Sequence, residues 1–315
     1  MKPGTRRALT VARLFAVLAG LPLLVVWAAR EAALSAGWHA GLAGGIALSL
    51  FSMLFFALRF GVAMRMVGIE LGLVETLRIA TRSLFYQWFV PFAVGGDVAK
   101  FVTLKARDHG GVAAAAGIVL DRVAGLAALV IVALTLYVAL DPIDVALPRG
   151  PAVAGPTMLG AVSVLLLVLL AAVYLARRSG HLVRALGVLR RAGATLHAPA
   201  IANVLALSVL THVSFAAAVW LGARGWGIDP GFAVVLFVLA SSWTLQAVPL
   251  HLLGIGVADL AATALFVAVG LDPAQAVLVT SLQVGYRLLM AILGGAWDLL
   301  PSAAPAASGA ATPPP

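Results

Sequence analysis

Hydrophobic residues fall in long runs along this chain, at about residues 8–29, 39–60, 74–94, 112–140, 156–176, 199–222, 231–249, 251–270 and 274–299. A helix needs about 20 apolar residues to cross a bilayer, and most of these runs reach that length. Two of the runs are broken in the same way. Val90-Pro91 followed by Gly95-Gly96-Asp97 interrupts the first half, and Val248-Pro249 followed by Gly254-Ile255-Gly256 interrupts the second. Proline and glycine break helices. In a membrane, broken backbone persists only where protein or a water-filled cavity satisfies its polar groups. Interrupted segments at corresponding places in two halves point to a transporter's binding site.

The basic residues choose among the possible topologies by the positive-inside rule. Lys2, Arg6, Arg7 and Arg13 place the N-terminus in the cytoplasm. Arg59, Arg65, Arg78 and Arg82 share one side with Lys100, Lys105 and Arg107, so the segment between them should enter and return. Arg177, Arg178, Arg184, Arg190 and Arg191 form a cytoplasmic cluster, and the second broken segment then dips in from the outer side. The expectation is an all-α polytopic membrane protein with about six full spans plus two broken re-entrant hairpins in an inverted repeat. If both broken segments cross, there are eight or nine spans. Residues 1–300 form one transmembrane domain, with halves about 1–140 and 141–300. The Ala, Pro, Ser and Gly tail, 301–315, reads as disordered.

Composition agrees with that pattern. The chain is 63% hydrophobic and 10% charged, against about 25% charged in soluble domains. Absent cysteine excludes disulfides, thiolate metal sites and cysteine nucleophiles. The net charge of +9 follows the membrane rule and gives no nucleic-acid signature. No metal-ligand spacing, Walker loop, dinucleotide fingerprint, HExxH or GxSxG occurs, so the expectation is no metal, no cofactor and no enzyme activity. Localisation is read as the cell inner membrane.

The candidate chemistry sits at the breaks and in the spans that follow them. Gly95 and Gly96 let a ligand approach backbone, and Asp97 stands where an N-cap would, or orients Lys100. Lys105 and Arg107 could hold headgroup phosphate or simply attract anionic lipid. Asp121 and Arg122 lie deep in an apolar run, where ionisable residues face a cavity or a partner. Asp121 could meet a cation of the first hairpin, and Arg122 could meet Asp97 or a phosphate. Gln283, Tyr286 and Arg287 share a helical face, with Thr280 a turn earlier. Asp259, just after Gly254 and Gly256, is a candidate counter-charge to Arg287 or a proton carrier. His212 and His251 read as structural. Glu75, Arg78 and Arg82 share the face of an interfacial helix.

Taken in order, Pro91-x-x-x-Gly95-Gly96-Asp97-x-x-Lys100, Asp121-Arg122-x-x-Gly125, and Pro249 with Gly254-x-Gly256-x-x-Asp259 resemble the flippase-like family, typified by the transmembrane domains of lysylphosphatidylglycerol synthases. The likeness covers about residues 8 to 300. The family commonly has Arg at the position of Lys100, Glu-Arg at Asp121-Arg122 and Glu at Asp259, and each difference keeps the charge. The resemblance implies lipid handling without the soluble aminoacyl-transferase reaction. The substrate would be an anionic, aminoacylated, hopanoid or polyprenyl-linked membrane lipid, bound by the residues just named at both breaks and in the spans after them. The alternative is a non-transporting scaffold or accessory subunit of a partner enzyme that modifies lipid.

Overall fold

A computed structural model describes residues 38–89, 95–139, 197–247 and 255–297, with 187, 190 and 251–252. The expected spans at 8–29 and 156–176, most of the basic cluster, Pro91, Pro249, Gly254 and the tail lie outside the described residues. The described part is helical: α1 (Trp38–Arg65), α2 (Leu73–Phe89), α3 (Gly95–Lys105), α4 (Gly111–Ala139), α5 (Ala198–Gly225), α6 (Phe232–Thr244), α7 (Val257–Ala268) and α8 (Pro273–Ala296). The other regular structure among the described residues is at the second break. There a 3₁₀ turn, Leu245–Ala247, leads to a two-residue antiparallel ladder pairing His251 with Gly256 and Leu252 with Ile255. The ladder satisfies backbone groups that the broken helix leaves open.

Four helices, α1, α4, α5 and α8, are long and apolar enough to cross a membrane. α6 is only 13 residues, or about 20 Å at 1.5 Å per residue, against a hydrocarbon core of about 30 Å. The first hairpin returns to the side it came from, because Glu75 at the start of α2 is ion-paired with Arg107 just past the end of α3. The second does the same from the other end. α6 follows directly on the end of α5, and α7 runs back alongside α8, with Asp259 level with Gln283 and Thr263 level with Thr280. Short helices on either side of each break, beside four long ones, are what re-entrant hairpins require.

The first long helix of each half packs along the other, antiparallel and over nearly its whole length. Small residues allow the close approach. A Cβ on Gly41 would stand 2.5 Å from the Gly225 Cα. At the middle of the crossing, Ser52 Oγ donates to the Thr211 carbonyl at 2.9 Å. At the far end, Val62, Ala63 and Met66 meet Val204 and Ala200. Equivalent helices running antiparallel are what an inverted repeat requires.

The contacts repeat under exchange of the halves. α2 packs on α8 as α6 packs on α4, and α3 on α4 as α7 on α8. This order exposes sequence identity that the Val-Pro and glycine breaks alone do not reveal. Arg65-x-x-Gly68-Ile69-Glu70 matches Arg224-x-x-Gly227-Ile228-Asp229. In both, the glycine takes a left-handed φ (77° and 78°) and the next isoleucine N–H caps the helix end. Ser83-x-x-x-Gln87 matches Ser242-x-x-x-Gln246, and the two serines donate to the equivalent carbonyls of Ala80 and Leu239. Gly95-x-x-Val98-Ala99 matches Gly254-x-x-Val257-Ala258. All three motifs share one offset, 159 residues, which is also the separation of Ser52 from Thr211. Those two residues are therefore the same position in each repeat, meeting on the pseudo-two-fold axis.

Candidate functional site

A cavity of about 430 Å³ opens on that axis. Five equivalent couples line it: Ser52 and Thr211, Met53 and His212, Phe56 and Phe215, Leu84 and Trp243, Gln87 and Gln246. The charged residues on its wall are Arg59, Asp97, Arg122 and Arg287. Neither glutamine amide bonds to a described residue. The Trp243 indole N–H and the Arg287 Nε are buried without a hydrogen-bond partner among the described residues.

In the first half, Asp121 is the hub. Its two oxygens accept from Arg59 Nε at 2.8 Å and Lys100 Nζ at 2.9 Å. All three side chains are buried, and Lys100 also sits 4.5 Å from the Phe60 ring centre and 4.9 Å from that of Phe56. Gly125 makes room for the guanidinium, since a Cβ there would lie 2.8 Å from Arg59 Nη1. The buried cluster keeps one positive charge in excess. Beside it, Arg122 Nε donates to both oxygens of Asp97 at 3.0 and 2.9 Å.

In the second half, Asp259 is the hub. It accepts from Gln283 Nε2 at 2.7 Å, from the Gly256 N–H at 2.9 Å and from Arg287. The repeat register sets Lys100 of the first half against Asp259 of the second. The hairpin carries the cation in one half and the acid in the other.

Several sequence expectations change here. Asp97 lies within the first turn of α3, inside the helix where a cap was expected, and it holds Arg122 while Lys100 turns to Asp121. Gly96 is tight against α2, where a Cβ would stand 2.8 Å from the Ser83 carbonyl oxygen. It serves hairpin closure, and Gly95 beside it is buried too. Arg107 is engaged by Glu75. Tyr286 does not reach the cavity. Its hydroxyl is wedged in a notch between Gly45 and Gly222, with no hydrogen-bond partner among the described residues. Gly256 contributes its backbone N–H to Asp259 and does not line the cavity.

Arg59 is the residue that sequence reading placed wrongly, as a topology marker at the membrane surface. Its register with Phe56 and Phe60 on α1, nearly two turns inside Arg65, is the signal that marks it as buried. His212 lies on the cavity wall against Trp243, with ring centres 5.9 Å apart. The two glutamines went unnoticed because each lies inside an apolar run, 74–94 and 231–249, and only the 159-residue repeat pairs them.

Helices paired as an inverted repeat around a charged cavity define a polytopic all-α membrane protein. The residues also match a family model, that of the lysylphosphatidylglycerol synthase transmembrane region, over residues 9–295. The chain belongs to that family, which ties it to membrane-lipid function. Comparison with curated proteins gives no match, and comparison with solved structures gives none.

Proposed function

We propose that this protein moves a lipid with a charged headgroup, polyprenyl-linked carriers included, between the leaflets of the cell inner membrane, with its N-terminus in the cytoplasm. The observation that carries the reading is the charge around the axial cavity. Four cations, Arg59, Lys100, Arg122 and Arg287, face three carboxylates, Asp97, Asp121 and Asp259. The single positive charge left over suits one phosphodiester. Fixed charges are what a headgroup needs on such a path, because a bare ion at the bilayer centre costs several kcal/mol or more. The mostly apolar remainder of the wall lets acyl or prenyl tails stay in lipid while the headgroup passes.

Mechanistically, the headgroup phosphate exchanges for a carboxylate on Arg122 or Arg287, so each guanidinium always has a partner. Gln87 and Gln246 offer donors and acceptors to the rest of the headgroup from either side of the axis. The cavity is what favours transport over a scaffold that only anchors a lipid-modifying enzyme.

The test is reconstitution in liposomes containing tail-labelled phosphatidylglycerol, read as the fraction of label reached by a membrane-impermeant quencher. Wild type should equilibrate the leaflets. Arg122→Ala should slow exchange about tenfold or more, the effect of one lost charge-assisted contact, with little change in thermal unfolding. Wild type that leaves the label sealed in the inner leaflet would support the scaffold reading.

A further inference from the structure

The Asp97–Arg122 pair differs from every other buried-side ion pair described. The fold does not require it. Each half already ties its hairpin to the following long helix, through Lys100–Asp121 in the first and Asp259 with Gln283 and Arg287 in the second. In the repeat register Asp97 falls opposite Gly256, so the second half holds together without a counterpart.

The pair is also open on its outer side. The side chain of Arg122 is 44% exposed and that of Asp97 25%, against 15% and 2% for Arg287 and Asp259. Around it stand exposed apolar residues of the same seam: Val98 and Val102 on α3, Val119 and Val123 on α4. Exposed valines on a spanning helix face lipid tails. Arg122 lies about 16 Å along α4 from Gly111, close to the middle of a core about 30 Å thick. A charged pair facing lipid at that depth is costly unless water or a headgroup reaches it. The same two side chains line the axial cavity. They therefore stand between the bilayer and the cavity.

Resting on the transport reading, we infer that the seam between α3 and α4 is the lateral port through which a phosphodiester lipid passes, with Asp97–Arg122 as its latch. The headgroup phosphate takes Arg122 from Asp97 and slides inward, while the tails remain against the valines outside. The equivalent seam between α7 and α8 is shut in this structure by Asp259, which accepts from Gln283 and Arg287 on α8.

The absence of native cysteine makes a cross-linking test clean. Val98→Cys with Val123→Cys places one thiol on each side of the seam without touching the latch. The pair is bridged by a bifunctional maleimide with a reducible spacer. Phe51→Cys with Leu210→Cys, both exposed beside the Ser52–Thr211 contact, gives the control bridge across α1 and α5. Each protein goes into phosphatidylcholine vesicles with tail-labelled phosphatidylglycerol.

Each rate is read against that of the same protein unbridged; the expected result is at least a tenfold loss after bridging Val98–Val123, recovery on reduction, and no loss with the control bridge. Full exchange through a bridged Val98–Val123 seam overturns the port and leaves the transport reading standing. Equal loss with both bridges overturns the assignment to this seam. No exchange in wild type overturns the transport reading, and the port with it.

Discussion

The two halves of this protein share a backbone plan and reverse its charges. In the first, a lysine on the hairpin and an arginine on the preceding span converge on an aspartate of the long helix. In the second, an aspartate on the hairpin takes an amide and an arginine of the long helix. A hairpin buried in the membrane must be fastened by polar bonds, because apolar packing there gains little over lipid. Either polarity fastens it. The repeat thus conserves a link and leaves its sign free, and the halves differ in what they leave accessible. The first adds an outward-facing pair, Asp97–Arg122. The second is closed and has none.

The largest effect should come from breaking the hub on which two cations depend. Asp121→Ala strands Arg59 and Lys100 among apolar side chains, and losing one partner of a buried ion pair costs about 3–5 kcal/mol. Thermal unfolding in detergent should show a large fall in midpoint. Asp259→Ala should cost less, about 1.5–3 kcal/mol, as expected for hydrogen bonds to a charged group, since Arg287 is partly exposed. Equal losses would mean that the halves are held alike despite their different burial.

Next come the glutamines. Gln87→Leu and Gln246→Leu should each slow lipid exchange several-fold with nearly unchanged unfolding midpoints, and by similar factors, because they occupy one repeat position on a shared axis. A loss confined to one of them would place the path off the axis. The smallest effect should be that of Tyr286→Phe. It removes a hydroxyl that has no described partner from the Gly45–Gly222 notch. Stability should stay within about 0.5 kcal/mol and exchange should be unchanged.

Much of the architecture was legible in the sequence. Alternating basic loops gave both hairpins their return, and the Val-Pro and glycine breaks located their tips, because a membrane allows few ways to interrupt a helix. The spans at 8–29 and 156–176 fall outside the described residues. The candidate site was less legible. Acids and bases deep in apolar runs announced themselves at Asp121, Arg122, Asp259 and Arg287, but their partners depend on how helices rotate, which spacing along one helix does not fix. Lys100 chose Asp121 over its near neighbour Asp97 for that reason. Arg59, near a helix end, looked like a surface cation until α4 was placed beside it. Tyr286 shared a helical face with Arg287, yet the small residues at 45 and 222 drew it to the α1–α5 crossing.

The measurement that bears most directly on the axial cavity as a headgroup path is a cryo-electron microscopy structure in nanodiscs containing phosphatidylglycerol. The account predicts headgroup density inside the cavity, its phosphate within hydrogen-bond distance of Arg122 or Arg287 and its remainder between Gln87 and Gln246. Lipid confined to the outer surface, with both arginines still held by Asp97 and Asp259 around an empty cavity, would contradict it.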